Sequence, residues 1–157
     1  MIALTWNFFL AIIWAALWSD FSGVNLLVGF VVGYLVLAIA LRDLPDFARY
    51  VSKVPRTISF FFYFNRELIK SNLKVAYDVL TRTHHMKPGV IAMPLEARSD
   101  GEISIVANLI SLTPGTLSLD VSSDRRVLYI HVMYLTDEAQ VVHEIKDLER
   151  RILDILR

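Results

Sequence analysis

No cysteine occurs in the 157 residues, which removes disulfides, thiolate metal sites and a thiol nucleophile and suits a cytoplasmic domain. Charge is almost missing from the first quarter: residues 1–41 carry Asp20 and no other Asp, Glu, Lys or Arg. Catalytic patterns are missing too. No Ser/His/Asp order and no paired carboxylates stand out, so an enzyme is not expected. The four histidines do not form a ligand set. His84 and His85 are adjacent and diverge on a helix or a strand, His131 falls on a strand, and His143 has only Glu144 and Asp147 nearby at helical spacing. No metal, cofactor or nucleic-acid partner is expected.

What fills the uncharged quarter is apolar. Residues 2–18 are interrupted by Thr5 and Asn7, and residues 24–41 by Asn25. At 1.5 Å per residue, each run reaches the short end of what crosses a hydrocarbon core about 30 Å thick. Two runs joined by residues 19–23 read as a transmembrane helical hairpin. A cleaved signal peptide fits less well, because no basic residue precedes the run and a second apolar run follows at once. Burial in a soluble core is weaker still, since so small a chain cannot cover two helices apolar all round. Gly29 and Gly33 form a GxxxG, and Ala11 and Ala15 a small-xxx-small pair, which together predict a helix-packing seam.

Net charge is zero, but it is unevenly spread. Residues 42–87 carry nine Lys/Arg against four Asp/Glu, and residues 88–157 carry seven against eleven. The 19–23 loop has no basic residue, whereas Arg42, Arg49, Lys53 and Arg56 follow the second run. The positive-inside rule then places both termini in the cytoplasm. The expected organisation is a membrane hairpin over 1–43, a basic juxtamembrane helix and linker over 44–85, and a cytoplasmic α+β domain over 86–157.

In the middle block, Pro55 suits the first turn of a helix running to residue 82. From Arg66 onward the helix is amphipathic. Arg66, Lys70 and Lys74 form a row on its polar face, and Phe61 and Phe64 belong to an aromatic cluster before it. Three placements are open: a third membrane span, a helix in the interface with the basic row on lipid phosphates, or a helix packed on partner protein. The apolar run of residues 58–64 is too short for a span, and the interfacial reading is preferred.

The last 70 residues read as β-α-β-β-α. Residues 90–95 form a strand, 102–112 a helix with a Ser99/Glu102 capping box, 116–121 and 127–133 a hairpin, and a last helix starts at 136–138. A right-handed crossover makes the first two strands parallel, giving a three-stranded mixed sheet. Leu117, Leu119 and Val121 are expected inward. Thr116, Ser118, Asp120, Tyr129 and His131 are expected on an open face, with Asp120, Tyr129 and His131 as a docking site for another protein. Thr113, Pro114 and Gly115 carry hydroxyl and glycine chemistry that could suggest phosphate binding. They lack the P-loop lysine and follow a helix rather than opening one, so a tight structural turn is the reading.

The run from Asn108 through Thr113-Pro114-Gly115-Thr116-Leu117-Ser118 to Asp120, followed by Leu128-Tyr129-Ile130-His131, resembles the E subunit of the multisubunit cation/proton antiporters (the Mrp, Mnh or Pha systems). Glu67-Leu68-Ile69, Asn72, Val75 and Val79-Leu80 match as well, and the resemblance covers nearly the whole chain. It implies a bacterial inner-membrane complex of several different hydrophobic subunits that exchanges cytoplasmic Na+ for external H+. In that complex the matching protein is an accessory member needed for assembly or full activity, with membrane lipids as further partners. The alternative is a self-standing membrane-anchored adaptor or enzyme.

Overall fold

The computed structural model describes residues 2–41, 43–81 and 86–157. Arg42, His84 and His85 lie outside the described residues. The element order is α1 (Ile2–Leu17), α2 (Gly23–Ala40), α3 (Pro45–Leu80), β1 (Gly89–Pro94), α4 (Asp100–Leu112), β2 (Thr116–Val121), β3 (Val127–Val132) and α5 (Glu138–Leu156). The chain divides into two compact units, Met1–Ile58 and Ser59–Arg157, and the division falls inside α3.

In the first unit α1 and α2 close on each other. Ala3, Asn7, Ala11 and Ala15, four residues apart, are the buried line of α1. They meet Gly29, Gly33 and Leu37, the buried line of α2. A Cβ added to Gly29 would sit 2.9 Å from Trp14 Cβ and 3.0 Å from the Ala11 carbonyl oxygen. One added to Gly33 would run into Asn7 Oδ1. Glycine is required here by close helix approach. Ser22 caps α2, and Trp14 Nε1 donates to Asn25 Oδ1 at 3.1 Å beside the turn.

The first turns of α3 belong to this unit. Phe47 is buried with Ala3 and Leu37, and Tyr50 packs against them. Asn7 Nδ2 donates to Tyr50 Oη at 2.8 Å. The expected helix start at Pro55 is corrected: Pro45 opens α3 and Pro55 is interior. An interior proline has no N–H for the carbonyl four residues back, here Val51. Tyr34 of α2 supplies the missing donor, its hydroxyl lying 2.9 Å from the Val51 oxygen. The bond from α2 compensates for the proline, so the helix continues where the sequence suggested a start.

Tyr34→Phe should therefore lower stability by about 1 kcal/mol, the scale of one net hydrogen bond. In a Pro55→Ala background the helix regains its own donor, and the same change should cost little. Denaturant unfolding of the full chain in detergent measures both; an equal cost in the two backgrounds would break the link.

The second unit holds a sheet of order β1-β3-β2, with both pairings antiparallel. The expected mixed sheet is corrected. β1 and β2 do point the same way, but β3 lies between them. The reason is burial: Leu128, Ile130 and Val132 of β3 are all core residues, and the central position is the one with neighbours on both sides. Ile91 and Met93 of β1, Ile103, Val106 and Ile110 of α4, and Ile145, Ile152 and Leu153 of α5 complete the core. Ser99 and Glu102 form the capping box of α4.

Candidate interaction surfaces

β2 carries the largest departure from the sequence reading. Thr116 and Ser118 face inward, while Leu117 and Leu119 are 50% and 51% exposed. The inward hydroxyls bond to α4. Thr116 Oγ1 donates to the Ile110 oxygen at 2.7 Å, Ser118 Oγ to the Ala107 oxygen at 2.9 Å, and Ser118 N to Ser111 Oγ at 3.0 Å. Hydroxyls beside α4 carbonyls have partners there that an alternation argument cannot foresee. A bulge between Ser118 and Asp120 then returns Asp120 to the outer face, opposite Tyr129. The open face thus holds Val90, Leu117, Leu119 and Tyr129, with Asp120 and His131 beside them. Thr116 and Ser118 are not on it.

The turn at Thr113, Pro114 and Gly115 is structural in geometry. Gly115 has φ +93°, a conformation that needs glycine, and a Cβ there would touch the Tyr134 ring at 3.5 Å. Thr113 Oγ1 donates to the Leu109 oxygen at 3.2 Å, so the hydroxyls close the end of α4.

Between α3, this turn and α5 lies a cleft of about 470 Å³. The α3 residues lining it are Tyr63, Phe64, Glu67, Lys70, Ser71 and Lys74. Part of the basic row thus points at the domain instead of away from it. Lys74 Nζ sits 4.2 Å from the centre of the Tyr134 ring, and Lys70 pairs with Glu67 at 2.9 Å. Arg151 lies over the Tyr63 ring at 4.3 Å and pairs with Asp147 at 2.9 Å. Burial, and after it the Asp147 carboxylate, raises the Tyr63 phenol above its ordinary value. Burial likewise raises Tyr134, aided by Asp78. Phe64 stacks on Phe60, which packs against the core, whereas Phe61 is exposed. Among the described residues, no group of three His, Asp or Glu gathers as a metal site.

Two carboxylates organise the domain: Glu149, which the sequence reading did not single out, and Glu102, read there only as the capping-box partner of Ser99. Glu149 is fully buried, and its Oε1 accepts from Glu96 N at 2.8 Å and Ala97 N at 2.9 Å, tying the loop after β1 to α5. The available signal was its spacing from Ile145 and Ile152, which puts it on the buried side of α5. Glu102 accepts from Arg157 Nε at 3.0 Å and from Arg98 N at 2.8 Å, joining the start of α4 to the end of α5. The Arg157 bonds, then the Arg98 amide, hold its pKa at about 2 against an ordinary 4.5. A depressed carboxylate stabilises the fold above its ordinary value, and that stabilisation is lost as pH falls through about 2. Glu102→Gln keeps the capping box but not the charge. It should lower the melting temperature at neutral pH, and the gap to wild type should close as pH drops from 4.5 toward 2. A gap independent of pH would remove the ionic contribution.

The chain thus combines an apolar helical hairpin, a long amphipathic helix and a small α+β domain with exposed apolar faces. The chain belongs to the Na+/H+ ion antiporter subunit family MNHE, whose model matches residues 7–155. It is 36% identical to the E subunit of the Na+/H+ antiporter of Alkalihalophilus pseudofirmus over 152 residues, 96% of each chain. It is 35% identical to the E subunit of the Bacillus subtilis Na+/H+ antiporter over 154 residues, again 96% of each. Among solved structures, a chain of the Mrp complex from Dietzia sp. matches at TM-score 0.51 and 28% identity, covering 65% of this chain and 96% of that one. A chain of the membrane-bound sulfane sulfur reductase, an archaeal respiratory membrane complex, matches at TM-score 0.57 and 27% identity over 96% of both.

Proposed function

We propose that the protein is an accessory, non-catalytic subunit that holds together a membrane complex exchanging Na+ for H+. The observation that carries this is the chemistry of α1 and α2. Neither contains Asp, Glu, Lys, Arg or His. An ion or proton path at bilayer depth needs such groups. Two of the polar side chains present donate to α3, Asn7 to Tyr50 and Tyr34 to the Val51 carbonyl. Family membership supplies the complex, and the relatives' names supply the exchanged ions.

In this reading α1 and α2 form a transmembrane hairpin, with both termini and the domain in the cytoplasm of the bacterial inner membrane. α2 is 18 residues long, and among the described residues it is the helix long and apolar enough to cross by itself; α1 has 16. The absence of cysteine allows a clean topology test. In intact cells, an impermeant thiol reagent should label Ser22→Cys and leave Ser123→Cys unlabelled; the reverse pattern would invert the orientation.

The outer sheet face, with Leu117, Leu119, Asp120, Tyr129 and His131, is the docking site for another protein of the complex. Leu117→Asp with Leu119→Asp should reduce recovery of the assembled complex severalfold while exchange per assembled complex stays at the wild-type level. Normal recovery with collapsed exchange per complex would overturn the purely structural role.

A further inference from the structure

We propose that the exposed apolar stripe of α3 in the second unit is a lipid-binding surface that lies along the headgroup–acyl boundary. The inference rests on the reading that α2 crosses the bilayer. Phe61, Phe62, Ile69, Leu73 and Leu80 are each more than half exposed. At 100° per residue they share an arc of about 120°. At 1.5 Å per residue they span about 29 Å. The opposite side of the same stretch carries Phe60, Glu67, Ser71 and Asp78, which are turned toward the domain and partly or fully buried.

Three observations select lipid over a partner helix. The first is shape. Helices that pack in membranes approach through small residues, as α1 and α2 do at Ala11, Ala15, Gly29 and Gly33. The α3 stripe is bulky. Its two neighbouring asparagines bond to their own helix, Asn65 to the Phe61 oxygen and Asn72 to the Leu68 oxygen, both at 2.8 Å. They therefore offer a partner helix little hydrogen bonding. The second is charge. Arg66 flanks the stripe and is exposed, Lys70 beyond it pairs with Glu67 at the cleft, and the carboxylates of this stretch, Glu67 and Asp78, lie on the far side. Cations beside an apolar face match anionic headgroups. The third is position in the chain. α3 begins five residues after α2 ends, so its start is at the surface where α2 leaves the bilayer.

The same absence of cysteine gives the test. Spin labels are placed singly at Phe62→Cys, Ile69→Cys and Leu73→Cys in the full chain, assembled with cysteine-free partner proteins of the complex in lipid nanodiscs. Val31→Cys on α2 and Ser123→Cys in the domain serve as references. Relaxation by dissolved oxygen reports lipid, relaxation by a water-soluble nickel chelate reports water, and protection from both reports protein. The three α3 sites should follow Val31→Cys, with oxygen relaxation severalfold above that at Ser123→Cys and little response to nickel. Strong nickel relaxation at these sites, or protection from both agents, would overturn the lipid surface; the second result would mean a protein partner covers it. If Val31→Cys itself responds to nickel, the membrane reading of α2 fails, and the proposal fails with it.

Discussion

Val51 carries a backbone carbonyl that its own helix cannot satisfy, because Pro55 has no N–H to offer. Its partner comes from another helix, the hydroxyl of Tyr34. Polar side chains that bond across to another element recur through the chain. Asn7 reaches Tyr50 in the hairpin unit. Glu149 collects the Glu96 and Ala97 amides in the domain. Ser118 and Thr116 turn inward toward α4 carbonyls. In each case a buried or half-buried polar side chain links two elements.

This constraint also explains which surfaces remain exposed. Once Thr116 and Ser118 face α4, Leu117 and Leu119 must face out, since side chains alternate along a strand. Once Glu67 and Lys74 face the domain cleft, Phe61, Phe62, Ile69 and Leu73 must face away from it. Two apolar surfaces result, one on the sheet and one on α3. Large exposed apolar patches mark interaction sites, which agrees with membership in a family of antiporter-complex components.

Much of the organisation was legible in the residues. The two uncharged runs predicted α1 and α2 to within a residue or two, because apolar length is a local property. The order of strands and helices after residue 86 was readable from period and turn chemistry, as was the Ser99/Glu102 capping box, which acts within one turn. The family resemblance was read in part from the Thr113-Pro114-Gly115 stretch, where Gly115 takes a positive φ and the Thr113 hydroxyl bonds the Leu109 oxygen.

What tertiary structure alone decided involves partners distant in sequence. Alternation told that Thr116 and Leu117 face opposite ways, but not which faces in; the Ile110 and Ala107 carbonyls settled that. The hairpin made β3 a neighbour of β2, but only the burial of Leu128, Ile130 and Val132 put it beside β1 as well. Pro55 reads as a helix start when seen locally, and becomes interior because Tyr34, 21 residues earlier, supplies the donor it lacks. Local pattern determines which segments are helix, strand or apolar run. The choice between two faces of one element depends on polar partners that only the folded chain brings within reach.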